Sequence, residues 1–160
     1  MAYFFLIALF ALIQALLLNN ILLFGVVMPL LYVYFVLLLP RDVKHWKKMC
    51  MSFALGLLVD MFCNTPGISS ASLTLVAFIQ PYILELYMDK EDSMDFAPKI
   101  SEMGFWRYLS YALFLVLVFC ITFFSLEAFT FSNPLQWLAS VGGSLVVTLV
   151  MILTIDSIRR

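Results

Sequence analysis

Six apolar runs, at about 2–18, 21–39, 47–63, 69–88, 105–126 and 134–155, divide the chain at short polar or helix-breaking punctuation. Each is close to the roughly 20 residues that carry an α-helix across the hydrocarbon core of a bilayer, where backbone N–H and C=O groups must be satisfied within the protein. The fold class this implies is an all-α integral membrane protein, a single transmembrane helical domain over 1–160. Composition points the same way. With 64% hydrophobic and 12% charged residues and a mean hydropathy of +1.06, a chain of 160 residues has too little polar surface for a water-soluble domain. A net charge of −1 gives no argument for nucleic-acid binding.

The first boundary, Asn19-Asn20, is the shortest. Read as one helix, 2–39 would reach roughly 57 Å, about twice the hydrocarbon thickness, so two spans are expected there. The N-terminal run has no basic region before it and flows into a second apolar run, so it reads as retained structure rather than a cleaved signal.

Charge provides an independent test of the span count. With six spans and both termini in the cytoplasm, the inner segments hold Arg41, Lys44, Lys47 and Lys48, then Lys90, Lys99 and Arg107, then Arg159 and Arg160, which is every Lys and Arg in the chain. The outer turns, at 19–20, 64–68 and 127–133, hold none. This partition follows the positive-inside rule and sets the expected topology as six spans, N-in and C-in. The longest polar segment, 89–104, is then cytoplasmic. It reads as a solvated loop with a short interfacial helix anchored by Phe105, Trp106 and Tyr108, or as a docking site for a cytoplasmic partner.

Groups for catalysis do not converge in the sequence, and no enzyme is expected. The one histidine, His45, lies in the basic loop beside Trp46, without Cys or carboxylate partners at metal-ligand spacing, so no metal or cofactor site is expected. No phosphate-cradling glycine loop is present. Cys50 and Cys63 lie too far apart on one expected helix to bridge, and with Cys120 they read as free thiols.

What polarity the spans contain is concentrated between Ser52 and Gln80. Ser52, Gly56 and Asp60 recur at four-residue intervals and so share one helix face. After the break at Asn64-Thr65-Pro66-Gly67 a second stripe follows: Ser70, Thr74, Ala77, Pro81 and Glu85. Two such faces joined by a short turn are expected to pack on each other and to bring Asp60 near the backbone N–H groups around Gly67, Ile68 and Ser69. Asp60 then has two readings. In one the carboxylate caps the turn and the positive end of the next helix; in the other it takes part in binding a partner or ligand at the outer mouth of the bundle. Glu85 is placed to snorkel toward water, and Gln80 to satisfy carbonyls freed by Pro81. Pro29 and Pro81 should kink their spans. Small faces at Ala8, Ala11 and Ala15, and at Ser140, Gly142, Gly143 and Ser144, suit close helix approach within the chain or with a partner.

The pattern Gly56-Leu57-Leu58-Val59-Asp60, then a turn with Pro66 and Gly67, then a Ser/Ala/Leu-rich helix, resembles the bacterial rod shape-determining protein MreD family. Length, six-span plan, minimal outer turns and the preceding basic loop resemble it too. The resemblance implies a multi-pass, non-enzymatic protein of the bacterial cytoplasmic membrane, acting in cell elongation. It would be an adaptor that binds MreC and, through it, the MreB filament and the peptidoglycan polymerase and transpeptidase. It assigns a structural or partner-binding motif role to Gly56, Asp60, Pro66 and Gly67. The family is similar in architecture to the substrate-binding components of energy-coupling-factor transporters, and a vitamin-binding component of that kind is the alternative. Ala11 and Ala15 would serve there as a coupling face, but outer loops able to line a vitamin pocket are scarce.

Overall fold

The computed structural model describes residues 9, 13, 30–64, 66–88, 100–128 and 133–158. Among them every regular element is helical: α1 Val33–Leu37, α2 His45–Cys63, α3 Ile68–Tyr87, α4 Ile100–Met103, α5 Phe105–Glu127 and α6 Pro134–Ile158. Three of these, α3, α5 and α6, are long and apolar enough to cross a membrane. The expected span 2–18 apart from residues 9 and 13, the part 21–29 of the expected span 21–39, the boundary at Asn19-Asn20, the alanine face of the first run, Pro29 and residues 89–99 lie outside the described residues.

Local chemistry sets the helix ends. Helix α2 stops where Asn64 adopts a left-handed conformation, φ 55°, its N–H donating to Asp60 O; asparagine is one of the few residues with a side chain that tolerate this region. Gly67 at φ 84° starts α3, and Gly104 at φ 81° separates α4 from α5. Pro134 occupies the first position of α6, where a missing N–H costs nothing.

Helix α2 packs on α3, α3 on α5 and α5 on α6, while the segment around α1 lies against α2, α3 and α5. Buried side chains on α5 recur every three or four residues through Tyr108, Tyr111, Leu115 and Phe119, the last edge-on to Tyr32 with ring centroids 5.4 Å apart. The outward faces are as apolar as the core: Phe62, Leu86, Leu113, Phe114, Val146 and Val150 are all exposed. Such an exterior suits hydrocarbon, where apolar exposure carries no penalty and helices associate through packing and hydrogen bonds instead.

Two expectations are corrected by this arrangement. The described part of the run 21–39 is not one regular helix: Val33 N, Tyr34 N and Phe35 N donate to carbonyls three residues back, and only five residues are α-helical. Tyr108 is not an interfacial anchor, since it opens the buried series of α5 and is 0% exposed, whereas Phe105 and Trp106 do lie on the surface.

Candidate functional site

Helix α3 begins with a deficit. Its N-cap position is Gly67, which has no side chain to accept from the N–H groups of the first turn. Asp60, one turn before the end of α2, supplies the missing cap from another helix. Ser69 N donates to Asp60 Oδ1 at 2.9 Å and Ser70 N donates to Oδ2 at 3.0 Å. These are the second and third positions of α3, the two that an N-cap side chain serves. The carboxylate also faces the positive end of the helix dipole, and at 5% exposed it is largely shielded from solvent.

Gly56, one turn earlier on the same face, makes this reach possible. A Cβ at Gly56 would fall on Ser70 Cα, 2.7 Å from Ser70 N and 2.9 Å from Ser69 C, all backbone atoms that cannot swing aside. Helix α2 therefore touches the start of α3 through bare backbone. Pro66 and Gly67 are exposed at the turn, and Gly67 takes the positive φ that the reversal needs. The four residues singled out by the sequence, Gly56, Asp60, Pro66 and Gly67, thus form one hairpin, whose capping geometry matches the turn-capping reading of Asp60.

The stripe on α2 extends beyond Ser52, Gly56 and Asp60 to Lys48. Lys48, Ser52, Gly56 and Asp60 are all buried at four-residue spacing, and Lys48 is only 1% exposed. Lys48 Nζ donates to Gln80 Oε1 at 3.0 Å, while Gln80 Nε2 donates to Leu39 O at 3.1 Å and to Tyr111 Oη at 3.0 Å. An ammonium only donates, so the amide oxygen must face it and both amide hydrogens are left for the other two acceptors. Gln80 is consequently the junction of four parts of the chain and does not serve the carbonyl freed by Pro81. Ser52 Oγ, between the two polar ends of the stripe, is buried and has no hydrogen-bond partner among the described residues.

The segment 30–39 is the object these contacts hold. All its residues but Leu38 are buried, and so short a helix cannot satisfy its own ends. Leu30 N donates to Thr148 Oγ1 at 3.2 Å, and Leu39 O receives Gln80. Between them Tyr32 Oη donates to Ser69 Oγ at 3.3 Å and Tyr34 Oη to Asp156 Oδ1 at 3.2 Å. Asp156, missed in the sequence reading, ends a buried stripe on α6 at Ser144, Thr148, Ile152 and Asp156 whose four-residue spacing mirrors that of α2.

Other candidates fall away from this assembly. Thr74 and Pro81 are half-buried and Glu85 is exposed, so the second stripe leaves the core toward its end. Gly142 is exposed with open space where a Cβ would stand, and of the small face on α6 only Ser144 is buried. Cys50 and Cys120 are free thiols. Among the described residues no group of His, Cys, Asp or Glu is placed to hold a metal ion. Compared with known proteins, the chain matches no family model, no curated protein and no solved structure.

Proposed function

We propose that this chain is an MreD-like, non-enzymatic adaptor of the bacterial cell-elongation machinery. In this proposal it spans the cytoplasmic membrane six times, N-in and C-in, with an architecture similar to the substrate-binding components of energy-coupling-factor transporters. It binds MreC and through it the peptidoglycan polymerase, the transpeptidase and the MreB filament. The observation that carries the proposal is the gathering of Gly56, Asp60, Pro66 and Gly67, the residues of the resemblance, into one hairpin. Its consequence is a fixed pair of helices whose outer faces remain apolar and open to another transmembrane helix.

Docking on such faces relies on shape and close packing rather than on charge. Tagged protein extracted in mild detergent is expected to co-purify with MreC. Failure across several mild detergents that keep the chain folded counts against the proposal. Asp60→Asn separates hairpin integrity from partner contact: a variant that accumulates normally and still binds MreC assigns Asp60 to the hairpin alone.

A further inference from the structure

At the end of the bundle remote from the Asp60 turn, cations collect where a helix start least favours them. Helix α2 opens with His45, Trp46, Lys47 and Lys48 behind an N-cap at Lys44, has no acidic residue in its first turn and no side-chain cap, and follows Arg41. Arg41, Lys44, His45 and Lys47 are exposed, and among the described residues the exposed carboxylates Asp42 and Glu85 on the flanking segments leave the patch positive. These charges are unfavourable with the helix dipole and with one another, and an anion at this end would relieve both.

The patch is also built to lie at a membrane surface. Trp46 is 60% exposed, with Lys47 Nζ held 5.7 Å from its ring centroid. The His45 ring lies 5.6 Å from that of Tyr82, itself exposed on α3, so aromatic surface from two helices borders the cations. Amphipathic rings of this kind settle at headgroup depth, with the hydrocarbon on one side and water on the other.

We infer that this basic and aromatic collar, Arg41, Lys44, Trp46 and Lys47 with Tyr82, docks the headgroups of anionic phospholipids. The inference rests on the chain's membrane location and not on the adaptor proposal. Neutral phospholipids present the same rings with the same hydrocarbon boundary but no net charge for the three exposed cations. Each Lys or Arg contributes about fivefold to association with an anionic surface, so three give on the order of a hundredfold preference at low salt.

The test uses the full chain in detergent, with thermal unfolding followed during addition of phosphatidylglycerol or phosphatidylcholine. Phosphatidylglycerol is expected to raise the unfolding midpoint at a far lower concentration than phosphatidylcholine. The difference should collapse near about 0.5 M salt, where the screening length is roughly 4 Å. It should be lost in R41Q/K44Q/K47Q, whose own midpoint in phosphatidylcholine reports that it is folded, and kept in R159Q/R160Q. Equal response to the two lipids overturns the inference, as does a preference surviving in the triple variant or lost equally in R159Q/R160Q. A further outcome also overturns it: neutralising Asp89, Glu91 and Asp92 lowers the midpoint of the wild type but not of the triple variant, which assigns the collar to the chain's own acidic segment.

Discussion

At Asp60 two backbone donors depend on one side chain, which makes the consequences of substitution calculable. Alanine leaves both N–H groups buried without an acceptor, at about 3–6 kcal/mol, given a net 1.5–3 kcal/mol for each hydrogen bond to a charged group. Asparagine keeps one accepting oxygen and should lose roughly half as much. Unfolding in detergent is therefore expected to rank wild type, Asp60→Asn and Asp60→Ala in falling stability. The Gln80 junction makes a sharper prediction, because its two ends, the ammonium of Lys48 and the amide of Gln80, are not equivalent. Lys48→Met removes a cation and leaves the Gln80 donors engaged, so the loss stays within about 1 kcal/mol. Gln80→Leu takes the hydrogen-bond acceptor from a buried ammonium, leaving it only the more distant charge of Asp42, and deprives Leu39 O and Tyr111 of a donor, which costs about 3 kcal/mol. Equal losses in the two variants would show that the ammonium has other support. Ser52→Ala, by contrast, removes a buried hydroxyl without a partner among the described residues, and should be neutral or slightly stabilising in the same assay.

Between elements, the two glycines with the clearest surroundings should respond in opposite directions to the same added methyl. Gly56→Ala drives a Cβ into the backbone of Ser69 and Ser70, separates α2 from α3 and pulls Asp60 off its donors, at a cost of at least about 2 kcal/mol. Gly142→Ala meets nothing within 4 Å and gains helix propensity, so α6 should be stabilised by about 0.5–1 kcal/mol. The paired measurement checks the closeness of the hairpin against the openness of α6. This is also the scale at which the sequence was most and least informative. Runs at 47–63, 69–88, 105–126 and 134–155 lie within a few residues of α2, α3, α5 and α6, because length, apolarity and breaking residues act locally. Asp60 was legible because a carboxylate four residues beyond Gly56 faces whatever that glycine touches. Gln80 was not, since its partners lie 31, 32 and 41 residues away and only the neighbouring Pro81 was visible in sequence. Tyr108 and Asp156 each belong to a buried series of three- or four-residue spacing, a periodicity that is present in the sequence but does not by itself distinguish a buried face from an exposed one.

At the scale of the whole molecule, several buried polar side chains among the described residues satisfy backbone that helices cannot satisfy themselves. Asp60 serves the start of α3, Thr148 the N–H of Leu30, and Gln80 the carbonyl of Leu39, in a bundle whose surface is otherwise hydrocarbon-like. This task needs the Asp60 turn and the Lys48 junction to lie at opposite ends of the α2–α3 hairpin, twelve positions and thus roughly 18 Å apart along α2. On the proposed topology the Lys48 end faces the cytoplasm and the turn faces out. A cysteine replacing exposed Pro66 should accordingly react with a membrane-impermeant thiol reagent in intact cells, in a background where Cys50, Cys63 and Cys120 are serine. A cysteine replacing exposed Lys44 should react only after the membrane is opened. Reporters active only in the cytoplasm should work at both ends of the chain if the first forty residues cross twice. If they cross once, the N-terminal reporter is silent while the two cysteines keep their pattern, because every later segment retains its side. The two measurements thus test the orientation of the hairpin and the number of spans before it separately. Reversal of the cysteine pattern would overturn the inside placement of the basic collar, and with it both the adaptor topology and the exposure of that collar to the cytoplasmic leaflet.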